Sequence, residues 1–178
     1  MDASTRSISG RRVAALAAMA VVLLLAAAPA GKAAPAAKKP PAPEATVFFC
    51  DSADIECRLK KMETFDVTEI RDLWVFVAWK NLPAGIHQQD LRFALRRGEH
   101  YQTLTTFFST VALPGLPPNV QIPKKSQGEP TVFRVLPVGG TWITQHTLTG
   151  MWEVEVLLDG KSITKAKFEL HEPDRHRH

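Results

Sequence analysis

Between Trp152 and Leu170 the sequence alternates with a period of two on either side of a single Asp-Gly pair. Trp152, Val154, Val156 and Leu158 alternate with Glu153, Glu155 and Leu157. After Asp159-Gly160, Thr164, Ala166, Phe168 and Leu170 alternate with Lys165, Lys167 and Glu169. A helix would spread these apolar side chains around its circumference, whereas a strand turns every second one to the same face. Asp-Gly favours the tight hairpin turn whose twist matches its flanking strands. The segment therefore predicts a hairpin with one buried and one solvated face. On the solvated face Lys165 and Lys167 can pair with Glu153 and Glu155, each pair contributing about 0.2–1 kcal/mol.

Such a hairpin needs further strands to cover its apolar face, and the chain supplies them from Thr46 onward. Val47, Phe48 and Phe49 start the first. Leu73, Val75, Val77 and Trp79 alternate with Trp74, Phe76 and Ala78, so this strand is apolar on both sides and is expected at the centre of a sheet. Leu91, Phe93 and Leu95 alternate with Arg92, Ala94 and Arg96. Arg97-Gly98-Glu99 then turns the chain into a strand carrying Tyr101, Leu104 and Phe107 or Phe108. Strand character returns at Thr131 to Leu136 and at Thr141 to Thr144, while Ala53 to Met62 has room for one short helical turn. The pattern predicts an all-β fold: a two-sheet antiparallel sandwich of about 7–9 strands. It would occupy residues 46–171, with 172–178 as a polar tail.

One long stretch breaks the alternation. From Leu113 to Pro130 the chain holds Pro114, Pro117, Pro118, Pro123 and Pro130, which forbid a central strand or an ordinary helix. Leu113, Leu116, Val120 and Ile122 punctuate it beside Lys124 and Lys125. Two fates are open to these side chains. They can fold back to cap an open end of the sandwich, or stay exposed as an apolar patch rimmed by positive charge, the usual appearance of a docking surface.

The N-terminus reads as an address. Arg6, Arg11 and Arg12 precede an uncharged Ala/Leu/Val run from Val13 to Ala28, and Ala28-Pro29-Ala30 places small residues before Gly31. This is the organisation of a secretory signal peptide over residues 1–30. A retained membrane anchor is the alternative, and it alone would bring the protein to a membrane. Either reading puts the remainder outside the cytoplasm, in the periplasm or the medium. Residues 31–45 are almost wholly Ala, Pro and Lys, a composition that cannot bury enough apolar surface to offset ordering entropy, so a disordered tether is expected. Loss of residues 1–30 removes three positive charges and one negative from the formal +4, leaving +2. That offers no basic footprint for nucleic acid.

The chain has two cysteines, Cys50 and Cys57. Their even count and proximity, in an oxidising compartment, predict a disulfide. The spacing is not the C-x-x-C of a redox pair.

Two stretches carry a resemblance. Trp79-Lys80-Asn81-Leu82-Pro83-Ala84-Gly85-Ile86-His87, followed by Leu91-Arg92-Phe93 and Gly98-Glu99-His100-Tyr101, is similar to a strand, Leu-Pro-x-Gly corner and hairpin. Gly150-Met151-Trp152-Glu153-Val154-Glu155-Val156 through Asp159-Gly160 to Phe168-Glu169-Leu170 is similar to a closing hairpin. Both resemble bacterial immunoglobulin-like modules of the cell envelope, and together they cover about half of the domain. The resemblance implies the fold and, by itself, no chemistry.

The residues give little ground for catalysis. No G-x-S-x-G occurs, and Ser52, Ser109, Ser126 and Ser162 are ordinary loop or strand serines. Asp66, Glu69 and Asp72 could supply paired carboxylates, but their spacing around a strand start also fits a solvated edge. His87, His100 and His146 are scattered over three segments without metal-ligand spacing, and His171, His176 and His178 belong to a polar end. No cofactor or metal is called for. The expectation is an exported, non-enzymatic interaction module with an envelope protein as partner, using Leu113, Leu116, Val120, Ile122, Lys124 and Lys125. The alternative is a carbohydrate-binding module in which Trp74 and Trp142 stack on glycan rings.

Overall fold

The computed structural model describes residues 39–95 and 97–172. The expected signal peptide, the tether as far as Lys38, Arg96 and the tail from Pro173 lie outside the described residues. In chain order the elements are β1 (Glu44–Cys50), a 3-10 turn (Ile55–Lys60), β2 (Thr64–Asp66), β3 (Asp72–Lys80), β4 (Ile86–Leu95) and β5 (His100–Ser109). There follow β6 (Val120–Gln121), β7 (Lys124–Ser126), β8 (Glu129–Pro137), helix α1 (Trp142–Gln145), β9 (Gly150–Leu158) and β10 (Lys161–His171). They form two sheets, ordered β1-β3-β8-β7 and β2-β10-β9-β4-β5-β6. Naming β1, β3, β4, β5, β7, β8, β9 and β10 as A, B, C, C′, D, E, F and G gives A-B-E-D facing G-F-C-C′, the strand order of an immunoglobulin-type sandwich.

Among the described residues there are ten strands, more than the alternation foretells. The additions are β2, β6 and β7, of two or three residues each. Such runs are too short to show a period. Two of them also pair in parallel, β2 with β10 and β6 with β5, so the antiparallel pattern is broken at both edges of the larger sheet. A second difference concerns Thr141 to Thr144, where Trp-Ile-Thr suggests a strand. The chain instead forms α1: the Thr141 hydroxyl caps it by accepting from the Ile143 N–H at 3.3 Å, and Ile143 is buried beneath it. A capping threonine and one buried anchor outweigh the β-propensity of three residues.

The core lies between the sheets. Leu73, Val75, Val77 and Trp79 of β3 face Leu91 and Phe93 of β4, Trp152, Val154 and Val156 of β9, and Phe168 and Leu170 of β10. All are essentially withdrawn from water, each such burial contributing about 1.5–3 kcal/mol. Phe108 faces inward and Phe107 outward. Trp79 carries the one polar edge that β3 takes into the core, and its Nε1–H donates to Gln89 Oε1 at 2.9 Å. The Asp159-Gly160 turn has φ of 49° and 79°, the left-handed pair that the tight hairpin requires. Register sets Lys165 opposite Glu155, but its ammonium reaches diagonally to Glu153 at 2.7 Å.

Strand β3 is central, between β1 and β8, and its second apolar side has its own cover. Phe48, Cys50, Phe76 and Ala78 form a separate buried layer on the outer face of the smaller sheet. Over them lies the 3-10 turn, held by the Cys50–Cys57 disulfide with a Cα–Cα distance of 6.0 Å.

Candidate functional site

The aromatic layer on the smaller sheet ends in half-exposed rings. Phe48 stacks on Phe76 at 5.1 Å, and Phe133 of β8 packs against both Phe76 and Trp74. Arg58 of the 3-10 turn sits over the Phe48 ring at 5.5 Å and pairs with Glu129 at 2.8 Å, while Lys80 reaches the same carboxylate at 3.2 Å. Burial raises the Glu129 carboxyl, but the hydrogen bonds and charges of Arg58 and Lys80 outweigh it and hold the group below its ordinary value. The clasp thus covers the Phe48 end of the layer and leaves the Trp74 end at the surface.

Trp74 stands at the start of β3, where several loops meet at one end of the sandwich. The turn Val67–Arg71 forms a ridge there. Thr68 N–H and Thr68 Oγ1–H both donate to Asp66 Oδ1, at 2.8 and 2.7 Å, and Ile70 N–H donates to the Asp66 carbonyl at 3.1 Å. These Thr68 hydrogen bonds place the Asp66 carboxyl below its ordinary value. From beneath, Val138 and Gly139 N–H both donate to the Arg71 carbonyl at 2.9 Å. The approach needs a glycine: a Cβ on Gly139 would lie 3.1 Å from both Arg71 Cα and the Ile70 carbonyl oxygen.

A cleft opens on each side of this ridge. One, of about 620 Å³, is lined by Asp51, Ser52, the ridge residues Glu69 to Arg71, Asp72 and Trp74. The other, of about 470 Å³, runs from the ridge to Gly139, Gly140, Thr144 and Glu172. Glu69, Ile70 and Arg71 line both, so the two share a wall. Among the described residues, no ion pair engages Asp51, Glu69, Arg71 or Asp72. Trp74 therefore walls a polar cleft. Trp142 is on α1 at the same end and is 58% exposed, but it packs against His146 and lines neither cleft.

The Pro-rich segment lies elsewhere. It leaves β5, adds Val120–Gln121 to that edge as β6, and crosses to the other sheet, where Lys124–Ser126 form β7 beside β8. Leu113 and Ile122 are exposed, Ile122 at 75%, and Leu116 and Val120 are half-buried. Lys124 and Lys125 are exposed. Pairing sets Val120 beside Phe107, and Ile86 opposite Ser109, two residues along β5 from Phe107. Ile86 and Phe107, both exposed, thus join the same corner. The sequence reading missed them because each sits within an otherwise regular strand, where only the register reveals the outward neighbours.

The histidines go to separate partners. His87 is buried, with Nδ1 2.8 Å from Asp159 Oδ2 and Nε2 3.0 Å from the Pro83 carbonyl. His100 meets Thr103, and His146 packs on Trp142. Of the three carboxylates, Glu69 lies on the ridge and Asp72 directly follows it, both lining the Trp74 cleft, while Asp66 is spent on the turn itself.

No family model matches the chain, and no curated protein sequence matches it. Among solved structures it is similar to the Pseudomonas fluorescens alkylpurine DNA glycosylase AlkC bound to DNA containing an abasic site analog (11% identity, TM-score 0.38, 72% of this chain and 30% of that one). It is also similar to a β-glucosidase from Listeria innocua in complex with glucose (14% identity, TM-score 0.38, 72% and 16%). The chain spans less than a third of either protein, and likenesses at this level carry no argument about function. What the strand order itself establishes is a two-sheet, immunoglobulin-type β-sandwich.

Proposed function

We propose that this chain is an exported, non-enzymatic immunoglobulin-like module of the bacterial cell envelope that works by presenting one surface to a protein partner. Residues 1–30 act as the export signal and 31–43 as the tether; the module runs from 44 to 171, two residues earlier than the composition suggests, because Glu44 and Ala45 already pair with Lys80 and Trp79 of β3. The observation that carries the reading is the corner formed by β4, β5 and the Pro-rich crossover. Ile86, Phe107 and Ile122 are exposed there, next along the chain to Lys124 and Lys125, and Leu113 is exposed further back on the same crossover. A monomer with no partner has little reason to gather large apolar side chains at one corner. Prolines add to the case, since a pre-extended segment loses less entropy on docking. The flanking lysines favour a partner that carries acidic groups around an apolar centre.

The test is recovery of partner from an envelope extract by the full chain, compared with its Phe107→Ser and Ile122→Ser variants. Both side chains are exposed, so melting temperatures should stay within about 1–2 °C of the parent while recovery of the specific partner is lost. Lower melting temperatures with unchanged recovery would mean that the corner is only a cap on the sandwich, and the reading would fall.

A further inference from the structure

We infer that the loop end of the sandwich carries a second, separate site, for a neutral or amine-bearing saccharide, in the two clefts that share the Glu69–Arg71 wall. The case begins with what a pyranose ring needs. It has an apolar face that stacks on an aromatic side chain and a rim of hydroxyls that hydrogen-bond to carboxylates, guanidinium and backbone groups. The Trp74 cleft offers one half-buried indole beside Asp51, Ser52, Glu69, Arg71 and Asp72. The four charged groups among them make no ion pair with another described residue. A cleft for an apolar molecule would not be ringed by free polar groups, and one for a metal would need several ligands converging on a point. Among the described residues no group of three or more His, Cys, Asp or Glu does so.

Shape agrees with chemistry. The second cleft continues past the ridge to the Gly139-Gly140 backbone, Thr144 and Glu172, so the pair gives room for more than one sugar unit across a shared wall. Rigidity agrees as well. The ridge is tied above by the Asp66–Thr68 bonds and below by the Val138 and Gly139 N–H groups, so its backbone is a fixed base, which spares a ligand the cost of ordering the turn. Charge then chooses among saccharides. Asp51, Glu69, Asp72 and Glu172 face a single cation, Arg71, so uronate or sulfated chains are repelled, while neutral or amine-bearing chains are not. Trp142, exposed but outside both clefts, has no part in the site.

The test uses the full chain and three probes: N-acetylglucosamine oligosaccharides, glucosamine oligosaccharides and oligogalacturonate, followed by calorimetry and indole fluorescence. Binding of one or both of the first two is expected, with none of the third. Trp74→Leu and Glu69→Ala should each weaken that binding at least about tenfold, a change of about 1.4 kcal/mol. Trp74 also touches Phe76 and Phe133, so Leu at this position could disturb the aromatic layer. The exposed Glu69 is free of that concern and decides the matter if Trp74→Leu does not fold. Absence of binding by either non-acidic probe, preference for oligogalacturonate, or full binding by Glu69→Ala would overturn the site. Recovery of the protein partner should be unaltered in Glu69→Ala, so failure of this site and failure of the docking corner are told apart.

Discussion

His87 shows how a single buried polar side chain can fasten two distant turns. Both its ring nitrogens lie within hydrogen-bond distance of an oxygen, the Asp159 carboxylate and the Pro83 carbonyl. The pair ties the β9–β10 turn to the Leu-Pro-x-Gly corner, and Asp159 Oδ1 also accepts from the Gln88 N–H at 2.8 Å. Burial raises the Asp159 carboxyl, but its hydrogen bonds with His87 and Gln88 outweigh this and leave it below its ordinary value. A carboxylate lowered in this way stabilises the fold above its unfolded value of about 3.9, and the contribution is lost as pH falls through the folded value. Asp159→Ala strands the buried His87 Nδ1 and should cost about 1–3 kcal/mol at neutral pH. Its melting temperature should also fall less steeply than the parent's as the pH is taken down below the unfolded value of about 3.9. Equal slopes in the two proteins, measured by calorimetry across that range, would show that the carboxylate does not act this way.

At the scale of elements, legibility tracked the length of the pattern. The β9–β10 hairpin, its turn and the central place of β3 follow from runs of seven or more alternating residues, long enough for the period to speak. Strands β2, β6 and β7 do not, because each is fixed by an edge partner rather than by its own sequence. Helix α1 was hidden by three residues of β-favouring type, and the ridge by depending on a contact between segments nearly seventy residues apart. Gly139 is the clearest case. In sequence it is half of a Gly-Gly turn, yet its φ is not in the left-handed region and its purpose is close approach to the Arg71 backbone. Gly139→Ala should therefore destabilise the fold by about 1–3 kcal/mol through overpacking against backbone that cannot swing aside. Gly140→Ala instead meets open space, with strain from a φ of 72°. Thermal melts of the two variants, with a crystal structure of the first, would check the assignment: an unshifted ridge and an unchanged melting temperature in Gly139→Ala would refute it.

For the whole molecule, the apolar residues on both sides of β3 have their counterpart in two buried layers, one on each face of the smaller sheet. The inner layer between the sheets is the ordinary sandwich core. The outer one, of Phe48, Phe76 and their neighbours, exists because a 3-10 turn is laid over the smaller sheet and fixed there by the Cys50–Cys57 bond and by the Arg58–Glu129 pair. Read from spacing alone, the disulfide closes a loop of eight residues and contributes about 2.5 kcal/mol by restricting the unfolded chain. Its place in the fold adds a second consequence. Both sulfurs are buried in the outer layer, so opening the bond frees one anchor of the cover while the inner core remains whole. Reduction should therefore lower the melting temperature without unfolding the sandwich at room temperature, and should expose Phe48 and Phe76 to water. The oxidised and reduced proteins would be compared by calorimetry, by binding of a dye that lights up on apolar surface, and by far-ultraviolet circular dichroism. Expected are increased dye binding and an unchanged β spectrum in the reduced form. Loss of the β spectrum would mean that the bond supports the fold as a whole. Unchanged dye binding would mean that the turn keeps its seat through Arg58 alone, and Glu129→Gln in the reduced protein should then release it.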